Sequence, residues 1–378
     1  MLNAHVYPST LEHESRMLRI TDALAQSGQF SAIEMVGISG DGLSERELLD
    51  SKRQIVRLLP VWTTKSKSGW SKVMRLTEWS LRVYLYFRNR PVVCVNAHSL
   101  AALPVCAAIS RRHNALLIYD PHELETESIA SLGVRKVFAK IVERLLVHRC
   151  DAVFVVSDSI ADWYEARYGI ARPVVIRNFT GSQAITSGDR EQLRSRLRLR
   201  SDAVTFIYQG AMMQGRGVER LLRVFAKLPQ HDLLMLGDGP LTSLSGGAGT
   251  DFPNIRHHPA VEPEVVLDYT QCADVGLCLT EPVCLSYAYS LPNKLFEYLA
   301  AGLPIVISDL PEQAQFVAAR LCGWITQSDD ESLLKLLASI THQTLAKRRL
   351  AALRAASECS WSNEAERMLD VYRSLSHV

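Results

Sequence analysis

The chain has 378 residues, of which 47% are hydrophobic and 22% are charged. These proportions are ordinary for a soluble globular enzyme, and they exclude a disordered chain, a collagen-like chain and a small disulfide-stapled scaffold. The formal net charge is only +2, but residues 1–202 are net positive and residues 203–378 are net negative. This asymmetry predicts that the first half meets an anionic partner, for which nucleic acid and a membrane surface are the two candidates.

Length and composition together favour a cytoplasmic protein of two or three domains. Residues 12–19 carry four charges and no apolar core, so no signal peptide is predicted. The uncharged stretch at residues 91–110 contains two prolines, which favours a strand and a helix over a membrane span. The eight cysteines form no CxxC pair and lie mostly in apolar runs, which predicts buried free thiols and no zinc site.

Short β-branched runs alternate with amphipathic helical stretches along the chain. Several runs are continuously apolar, as strands covered by helices on both faces must be. The alternation predicts parallel sheets, and the strands are too many for one open twisted sheet, so two doubly wound α/β domains are predicted. The predicted strands span residues 32–38, 54–61, 92–96, 115–119, 152–156 and 174–176, then 204–208, 233–236, 254–257, 275–279 and 304–307.

The domain boundary is predicted near residues 178–201. Residues 179–182 have the composition of a loop. The basic stretch at residues 190–200 has leucines spaced as on a short surface helix. No aromatic residue interleaves this stretch, so the sequence favours a solvated helix face over a nucleic-acid-binding patch.

Two glycine-rich turns follow predicted strands in the second half. Gly210 and Gly217 bracket the first turn, which precedes an amphipathic helix, and Gly237 lies in the second turn. Glycines at a strand-to-helix turn let a phosphate approach the backbone, and Arg216 would add a bidentate donor. Each turn can also be a simple connection between a strand and a helix, and that alternative stays open.

Residues 287–309 carry the most specific pattern. A helix is predicted to begin near the proline of this segment and to end at Gly302. Asn293 and Lys294 fall at its start, and Glu297 lies on the same face as Lys294. A lysine beside unpaired helix N–H groups predicts a phosphate site, and Glu297 one turn on predicts a partner for a ribose diol. A plain ion pair between Lys294 and Glu297 is the structural alternative.

These motifs make the sequence recognisable. The pattern Pro-Asn-Lys-x-x-Glu-Tyr-x-Ala-x-Gly-x-Pro at residues 292–304 resembles the donor-binding segment of family 4-like (group 1) bacterial glycosyltransferases of the GT-B fold. The segment Tyr-Asp-Pro-His-Glu-Leu at residues 119–124 looks like the Asp-x-His-Glu segment of the family's acceptor-side domain. Further similarities cover nearly the whole chain and lie at residues 7–9, 15–24, 175–178 and 360–375.

The resemblance implies two doubly wound Rossmann-like domains facing a cleft, with a C-terminal helix that crosses back to the N-terminal domain. The implied domains are an acceptor-side domain at residues 1–182, a linker with a short helix at 183–202, a nucleotide-sugar donor domain at 203–358 and the crossing helix at 359–378.

The resemblance also implies roles for single residues on the donor side. Glu297 matches the second glutamate of the family's E-x7-E motif, which implies ribose binding, whereas Tyr289 stands where the first glutamate is expected. Ala211 lies near the position of a family arginine, and Arg216 replaces a family lysine. We therefore expect Lys294 to supply the missing cation.

On the acceptor side, the resemblance implies that His122 contacts the donor sugar. His122 follows a predicted strand, and ligands bind at the carboxyl edge of such sheets. Asp120 and Glu123 flank it, and either is a candidate general base, which would suit inversion. A mere strand-end cap is the structural alternative for Asp120.

The implied function is transfer of a sugar from a nucleotide-sugar donor to a carbohydrate or lipid-linked acceptor in bacterial surface or exopolysaccharide synthesis. The family implies retention at the anomeric carbon, no essential metal and no cofactor, because cations and helix N-termini stabilise the departing diphosphate. A non-catalytic GT-B partner of another glycosyltransferase, which Tyr289 and Ala211 favour, and a GT-B sugar-nucleotide epimerase are the alternatives. Nucleic acid is not an expected partner, since the sequence contains no known reading motif.

The composition of residues 61–90 predicts that this segment lies peripherally on the inner face of an anionic membrane. They hold seven basic residues against one acid, with tryptophans and tyrosines interleaved. A basic, aromatic amphipathic helix can lie on an anionic bilayer. Packing of these aromatic side chains on the sheet is the alternative.

Overall fold

The structure, a computed structural model, describes residues 1–12, 14–59, 69–129, 133–179, 187–244 and 252–375. It divides into two compact units, one made of residues 1–177 with 364–378 and the other of residues 178–363. Each unit contains one predominantly parallel sheet with helices in its crossovers. The predicted doubly wound α/β architecture is therefore confirmed.

The first unit is built on an eight-stranded sheet with the order β3-β4-β2-β1-β5-β6-β7-β8. The strand pairs are parallel except β3 with β4, which form an antiparallel edge. The strands are β1 (Leu2–Val6), β2 (Ala32–Ile38), β3 (Arg46–Leu48), β4 (Arg53–Leu58), β5 (Val92–Ala97), β6 (Leu116–Tyr119), β7 (Ala152–Val155) and β8 (Val174–Val175). Its helices include α1 (Ser15–Ser27), α2 (Gly69–Phe87), α3 (Leu103–His113), α4 (Gly133–Val147) and α5 (Asp158–Tyr168).

The second unit is built on a six-stranded parallel sheet with the order β11-β10-β9-β12-β13-β14. The strands are β9 (Thr205–Gln209), β10 (Asp232–Leu236), β11 (Ile255–His258), β12 (Val275–Cys278), β13 (Ile305–Ser308) and β14 (Gly323–Thr326). The helices include α6 (Ser187–Arg196), α7 (Val218–Phe225), α8 (Val266–Thr270), α9 (Leu285–Ala288), α10 (Asn293–Ala300), α11 (Pro311–Arg320), α12 (Asp330–Ser339) and α13 (His342–Glu358).

The central strands of the second sheet are buried on both faces, as their continuous apolar runs require. Helix α10 is fixed to this sheet by Tyr298. Its hydroxyl accepts the Gln209 N–H at 3.0 Å and donates to Leu277 O at 3.1 Å. Gly276 makes the close approach possible, since a Cβ there would lie 2.2 Å from the Tyr298 ring. These contacts set the position of the helix start at the sheet edge.

The sequence prediction omitted three strands: β1, β3 and β14. The omission of β1 matters most, because β1 is a central strand of the first sheet. Its residues Asn3 and His5 are fully buried, and these polar side chains broke the apolar pattern that identified the other strands. β3 is a three-residue edge strand with every residue exposed, so it lacks the apolar alternation altogether.

The C-terminal helix α14 (Trp361–Leu375) packs within the first unit, as the resemblance implied. The Tyr372 hydroxyl donates to Asn96 Oδ1 at 2.5 Å, and the Arg177 N–H donates to Glu364 Oε2 at 2.8 Å. Tyr372 is fully buried. The end of the chain is therefore tied to the middle of the first sheet.

The basic stretch before β9 is used inside the second unit. Arg190 Nε donates to Gln271 O at 2.6 Å, and Arg200 Nε donates to Asp232 Oδ1 at 2.9 Å. These contacts agree with a structural role for the stretch. The predicted loop at residues 179–182 and the start of the predicted linker lie largely outside the described residues.

All eight cysteines carry free thiols, and six of them are buried, as their apolar surroundings predicted. Among the helices within the described ranges, not one combines the length and apolar character needed to cross a bilayer.

Candidate active site

Three strands of the first sheet end side by side, and each leads directly into a polar residue. β1 leads into Tyr7, β5 into His98 and β6 into Asp120. The His98 N–H donates to the carbonyl oxygen of the last residue of β1 at 3.0 Å. The Asp120 N–H donates to the carbonyl oxygen of the last residue of β5 at 2.9 Å. The carboxyl edge of this sheet therefore gathers these residues, with His122 two positions further on.

Asp120 is held in a buried ion pair with Arg16, which lies in the first turn of α1. Arg16 Nε donates to both carboxylate oxygens at 3.1 Å, and Nη2 donates to Oδ1 at 2.6 Å. A third donor, Nη1, reaches Ile176 O at 2.7 Å. Burial by itself raises the pKa of Asp120, but Arg16 and the nearby histidines outweigh it and hold the pKa well below its usual range. These contacts favour a positioning role for Asp120 over the general-base role considered from the sequence.

A row of three histidines runs through this edge of the sheet. His5 Nδ1 lies 2.9 Å from His98 Nε2, and His98 Nδ1 lies 3.1 Å from Asp120 Oδ2 and 3.3 Å from His122 Nε2. At the inner end, Asn96 Nδ2 lies 3.4 Å from His5 Nε2. His5 and His98 are at most 1% exposed, whereas His122 is 22% exposed.

The partners at the two ends of this row fix where the protons are. Asp120 is an anion that only accepts hydrogen bonds, so His98 Nδ1 must donate. At the other end, Asn96 Nδ2 donates its two hydrogens to Asn3 Oδ1 at 2.5 Å and to Ala4 O at 3.1 Å, so it cannot accept a hydrogen from His5 Nε2. His5 therefore carries its proton on Nδ1 and His98 accepts it on Nε2. The requirements set by Asp120 and by Asn96 are thus met by the same tautomers of His5 and His98.

This chain also sets the tautomer of His122. His98 Nδ1 carries one hydrogen, which it donates to Asp120, so a hydrogen on His122 Nε2, 3.3 Å away, would face another N–H group. We therefore assign the His122 proton to Nδ1. Burial lowers the pKa of His122 to about 3, against the opposing effect of Asp120. His122 is therefore neutral at physiological pH, with its Nδ1–H free of the buried row. Tyr7 packs against its ring, with the two centroids 5.0 Å apart.

The acidic residues after His122 occupy different environments. Glu123 is exposed on the loop. Glu125, which the sequence analysis did not single out, accepts the Leu100 N–H on Oε1 at 2.8 Å, and burial raises its pKa to about 8. Glu125 therefore holds a proton at neutral pH. Only its proximity to the recognised Asp-x-His-Glu segment could have pointed to it.

His98, Asp120 and His122 form a cluster of possible metal ligands in the described part of the chain, with one ligand atom each within 4.8 Å of the others. The sequence predicted no such cluster, because the three residues come from two separate strand ends. Arg16 already binds both oxygens of Asp120. A divalent cation here would meet that guanidinium, so the donor set fits a hydrogen-bonded network better than a metal.

In the second unit, the two predicted glycine turns touch each other. Gly210 has φ +110° and Gly237 has φ +135°, and a Cβ on Gly237 would lie 2.3 Å from Gly210 O. Gly217, which caps α7, has φ +77°, and a Cβ there would lie 2.5 Å from Leu279 O. Backbone packing thus requires glycine at Gly217 and Gly237, whereas a Cβ on Gly210 would lie 3.8 Å from the side chain of Lys294.

Helix α10 begins at Asn293, with the preceding proline as its N-cap rather than its first residue. Lys294 therefore lies in the first turn, as predicted, and its Nζ atom lies 3.8 Å from the centre of the Tyr208 ring. Its pKa is lowered to about 8, mainly by burial and in part by the charge of Arg216, against the opposing effects of Cys278 and Glu297. Asn293 is exposed and accepts the Asn178 Nδ2–H at 3.1 Å.

Arg216 lies in the turn before α7 and stacks on an aromatic ring. Its guanidinium carbon is 4.3 Å from the centre of the Tyr287 ring. This contact holds the stem of the side chain while the guanidinium edge stays available for hydrogen bonds. Arg216 and Lys294 each lie over a tyrosine, and their charges act on one another. Neither tyrosine was predicted as part of the site.

Glu297 lies one turn further along α10 and is bonded to Gln209 at the end of β9. Gln209 Nε2 donates to Glu297 Oε2, and Thr270 Oγ1 donates to Gln209 Oε1 at 2.7 Å. The carboxylate is thus oriented by the sheet. Tyr289, at the position of the missing motif glutamate, caps the C-terminus of α9.

Comparison with known proteins agrees with this architecture. The family model described as Glycosyltransferase Family 4 matches residues 14–180, and the one described as Glycosyl transferases group 1 matches residues 203–342. A D-inositol 3-phosphate glycosyltransferase of Catenulispora acidiphila is 25% identical over 302 residues, which are 74% of this chain and 72% of the relative.

Solved structures match over the whole length. Sucrose-phosphate synthase of Thermosynechococcus elongatus superposes with a TM-score of 0.81 at 17% identity and covers 100% of this chain and 99% of its own. Anabaena HepE in complex with UDP-glucose gives a TM-score of 0.76 at 13% identity and covers 100% of both chains. The protein is therefore a glycosyltransferase of the GT-B fold. It belongs to the family 4 (group 1) glycosyltransferases, whose two models together match most of the chain.

Proposed function

We propose that this glycosyltransferase transfers a sugar from a nucleotide-sugar donor to a carbohydrate or lipid-linked acceptor, in the synthesis of bacterial surface or exopolysaccharide. The observation that carries the proposal is the pair of cations at the carboxyl edge of the second sheet. Burial is the main cause of the lowered pKa of Lys294, and the charge of Arg216 lowers it further, so the two side chains repel each other. A bound diphosphate would relieve this repulsion, because its oxygens accept from both.

Two further features support a nucleoside diphosphate sugar as the donor class. Glu297 is held by Gln209, and its carboxylate can accept hydrogen bonds from a ribose diol. The solved relative HepE is described in complex with UDP-glucose, which is a ligand of this class.

The proposed chemistry uses side chains of this protein to stabilise the leaving group. Lys294 and Arg216, together with the N-termini of α10 and α7, would balance the charge that develops on the departing diphosphate. His122, with Nδ1–H as a donor, would contact the sugar that is transferred. We propose retention at the anomeric carbon and no essential metal. Product analysis by NMR tests retention, and turnover in the presence of a chelator tests metal independence.

We also propose peripheral association with an anionic bilayer at its inner face. Part of the predicted segment at residues 61–90 lies outside the described residues, which resume at Gly69. Within α2, Trp79 and Phe87 are fully buried, so these two aromatic side chains pack in the core and do not insert into lipid. Exposed Lys72, Met74, Leu81 and Leu85 remain on the outer face.

A thermal-shift screen tests the donor class. Nucleoside diphosphates and their sugars should raise the melting temperature of the wild-type protein more than the matching nucleosides do, because a ligand that binds the folded state stabilises it by mass action. Lys294→Met keeps the length of the side chain and removes its charge, so it should reduce the difference, while Arg216 still contacts the diphosphate. Equal shifts for nucleoside and diphosphate in the wild type would contradict the proposal.

A further inference from the structure

Helix α4 presents a stripe of apolar side chains to solvent. Val134 is 85% exposed and Phe138 is 67% exposed, and the other members are also more than half exposed. Their positions follow the i, i+3, i+4, i+7, i+11 pattern of one helix face. We call this face the α4 stripe; it consists of Val134, Val137, Phe138, Ile141 and Leu145.

The opposite face of α4 points into the protein and carries both polar and apolar side chains, of which Glu143 and Val147 are buried. Glu143 is fully buried. It accepts hydroxyl hydrogen bonds from Tyr119 at 2.9 Å and from Tyr164 and Tyr168 at 2.6 Å each. If this carboxylate moved away, three buried tyrosine hydroxyls would lose their acceptor, which is costly in a protein interior. The rotation of α4 is therefore fixed, and its apolar face is directed outward.

Ion pairs between α4 and Glu127 hold the helix in the same rotation. Lys136 donates to Glu127 Oε2 at 2.6 Å, and Lys140 also pairs with Glu127. The apolar residues of an ordinary surface helix face the core, whereas α4 has the reverse arrangement. Large exposed apolar patches rimmed by polar residues mark interaction sites.

The charges beside the α4 stripe are basic. Arg135 and Arg144 are both exposed, and on a helix of 3.6 residues per turn they lie on the two flanks of the stripe. The sole acidic residue of α4 is the buried Glu143.

We propose that the α4 stripe docks on an anionic lipid bilayer. An apolar face flanked by cations matches both parts of such a surface, the acyl chains and the acidic headgroups. A second copy of this chain fits less well, because an isologous contact would bring the flanking arginines of one copy against those of the other. This inference rests on the proposed bilayer association, and it names a surface that the sequence analysis did not identify.

Flotation with vesicles tests the proposal. We compare vesicles of phosphatidylcholine alone with vesicles that contain phosphatidylglycerol. The wild-type protein should float with the anionic vesicles at low salt, and Phe138→Asp should lower the bound fraction at least tenfold. Leu350→Asp is the matched control, because Leu350 lies in the second unit and is 62% exposed. It should float like the wild type.

A charge variant separates the two parts of the surface. Arg135→Gln with Arg144→Gln should weaken binding to anionic vesicles severalfold and should reduce its salt dependence. Circular dichroism and diphosphate titration of each variant show whether the fold and the donor site are intact. If the wild type floats but binds no nucleotide, the proposed donor class fails while the docking surface stands.

Two results would overturn the proposal. One is wild-type flotation by Phe138→Asp. The other is a wild-type dimer, measured by light scattering, that Phe138→Asp converts to a monomer without any flotation of the wild type. That second result would assign the stripe to a second copy of the chain.

Discussion

The Nζ atom of Lys294 lies 3.8 Å from the centre of the Tyr208 ring, in the first turn of α10. A lysine at a helix N-terminus opposes the helix dipole, and here it also lies near Arg216. The ring contact offsets part of this cost. The pKa of Lys294, lowered to about 8, means that its charged form is destabilised in the unliganded protein. We expect a bound anion to relieve this destabilisation.

The pH dependence of diphosphate binding follows from this relationship. Because the pKa of Lys294 is lowered from 10.5 to about 8, the free protein loses this charge as the pH rises through about 8. Affinity for a nucleoside diphosphate should therefore fall above pH 8, and binding near pH 8 should take up a proton. Calorimetry in two buffers of different ionisation enthalpy measures the uptake. Lys294→Arg should remove it, and uptake that persists in this variant would assign the proton to another group.

Arg216 should act on the diphosphate and not on the nucleoside. Arg216→Ala removes charge-assisted hydrogen bonds, each worth about 1.5–3 kcal/mol. We expect a loss of this size for nucleoside diphosphate and almost none for the bare nucleoside, as measured by calorimetry. Arg223→Ala is a suitable control, because Arg223 is exposed and paired with Asp330. Equal losses for both ligands in Arg216→Ala would place this side chain away from the phosphates.

The tautomer of His122 gives a sharper test than its removal. His122→Ala should lower turnover strongly and leave nucleotide affinity unchanged. His122→Asn places an N–H donor near the position of Nδ1, whereas His122→Gln places one near Nε2, beside the His98 donor. Asn should therefore retain roughly tenfold more turnover than Gln, the scale of one hydrogen bond. The reverse order would show that the donating nitrogen is Nε2.

Arg16 should be needed for stability. Arg16→Met leaves Asp120 buried without its counter-ion, which typically costs about 3–5 kcal/mol. Adding Asp120→Asn should recover part of that loss, and chemical denaturation measures both. The lowered pKa of Asp120 also makes the stability of the folded state depend on pH. The contribution of its charge to the free energy of unfolding is fully present above about pH 4, the pKa of an unfolded aspartate, and is lost progressively at lower pH. A stability profile for Arg16→Met that matches the wild type down to acid pH would contradict this account.

The alternation of strands and helices could be predicted from the sequence because the central strands are continuous apolar runs. The helix that carries Lys294 and Glu297 was predictable as well, because these residues and Gly302 lie within one helix and its end. β1 was not readable, since Asn3 and His5 serve a buried network whose partners lie far along the chain. Arg16 and Asp120 are 104 residues apart, and Gln209 and Glu297 are 88 apart. Local sequence carries no signal for such pairs.

The outward face of α4 shows a second limit of sequence reasoning. Its apolar periodicity is the normal signal of a core-facing helix. The buried Glu143 reverses that reading, because three tyrosine hydroxyls from other elements converge on it. Those contacts are visible only once the chain is folded.

The central claim is that the edge of the second sheet binds a nucleoside diphosphate sugar, and calorimetric titration of Glu297→Ala tests it most directly. We expect the loss of Glu297 to weaken binding of the nucleotide by about 1–3 kcal/mol while the melting temperature of the unliganded protein stays close to that of the wild type. A Glu297 that served only as the acceptor of Gln209 Nε2 would contribute nothing to ligand affinity. Unchanged nucleotide affinity in Glu297→Ala would contradict the claim.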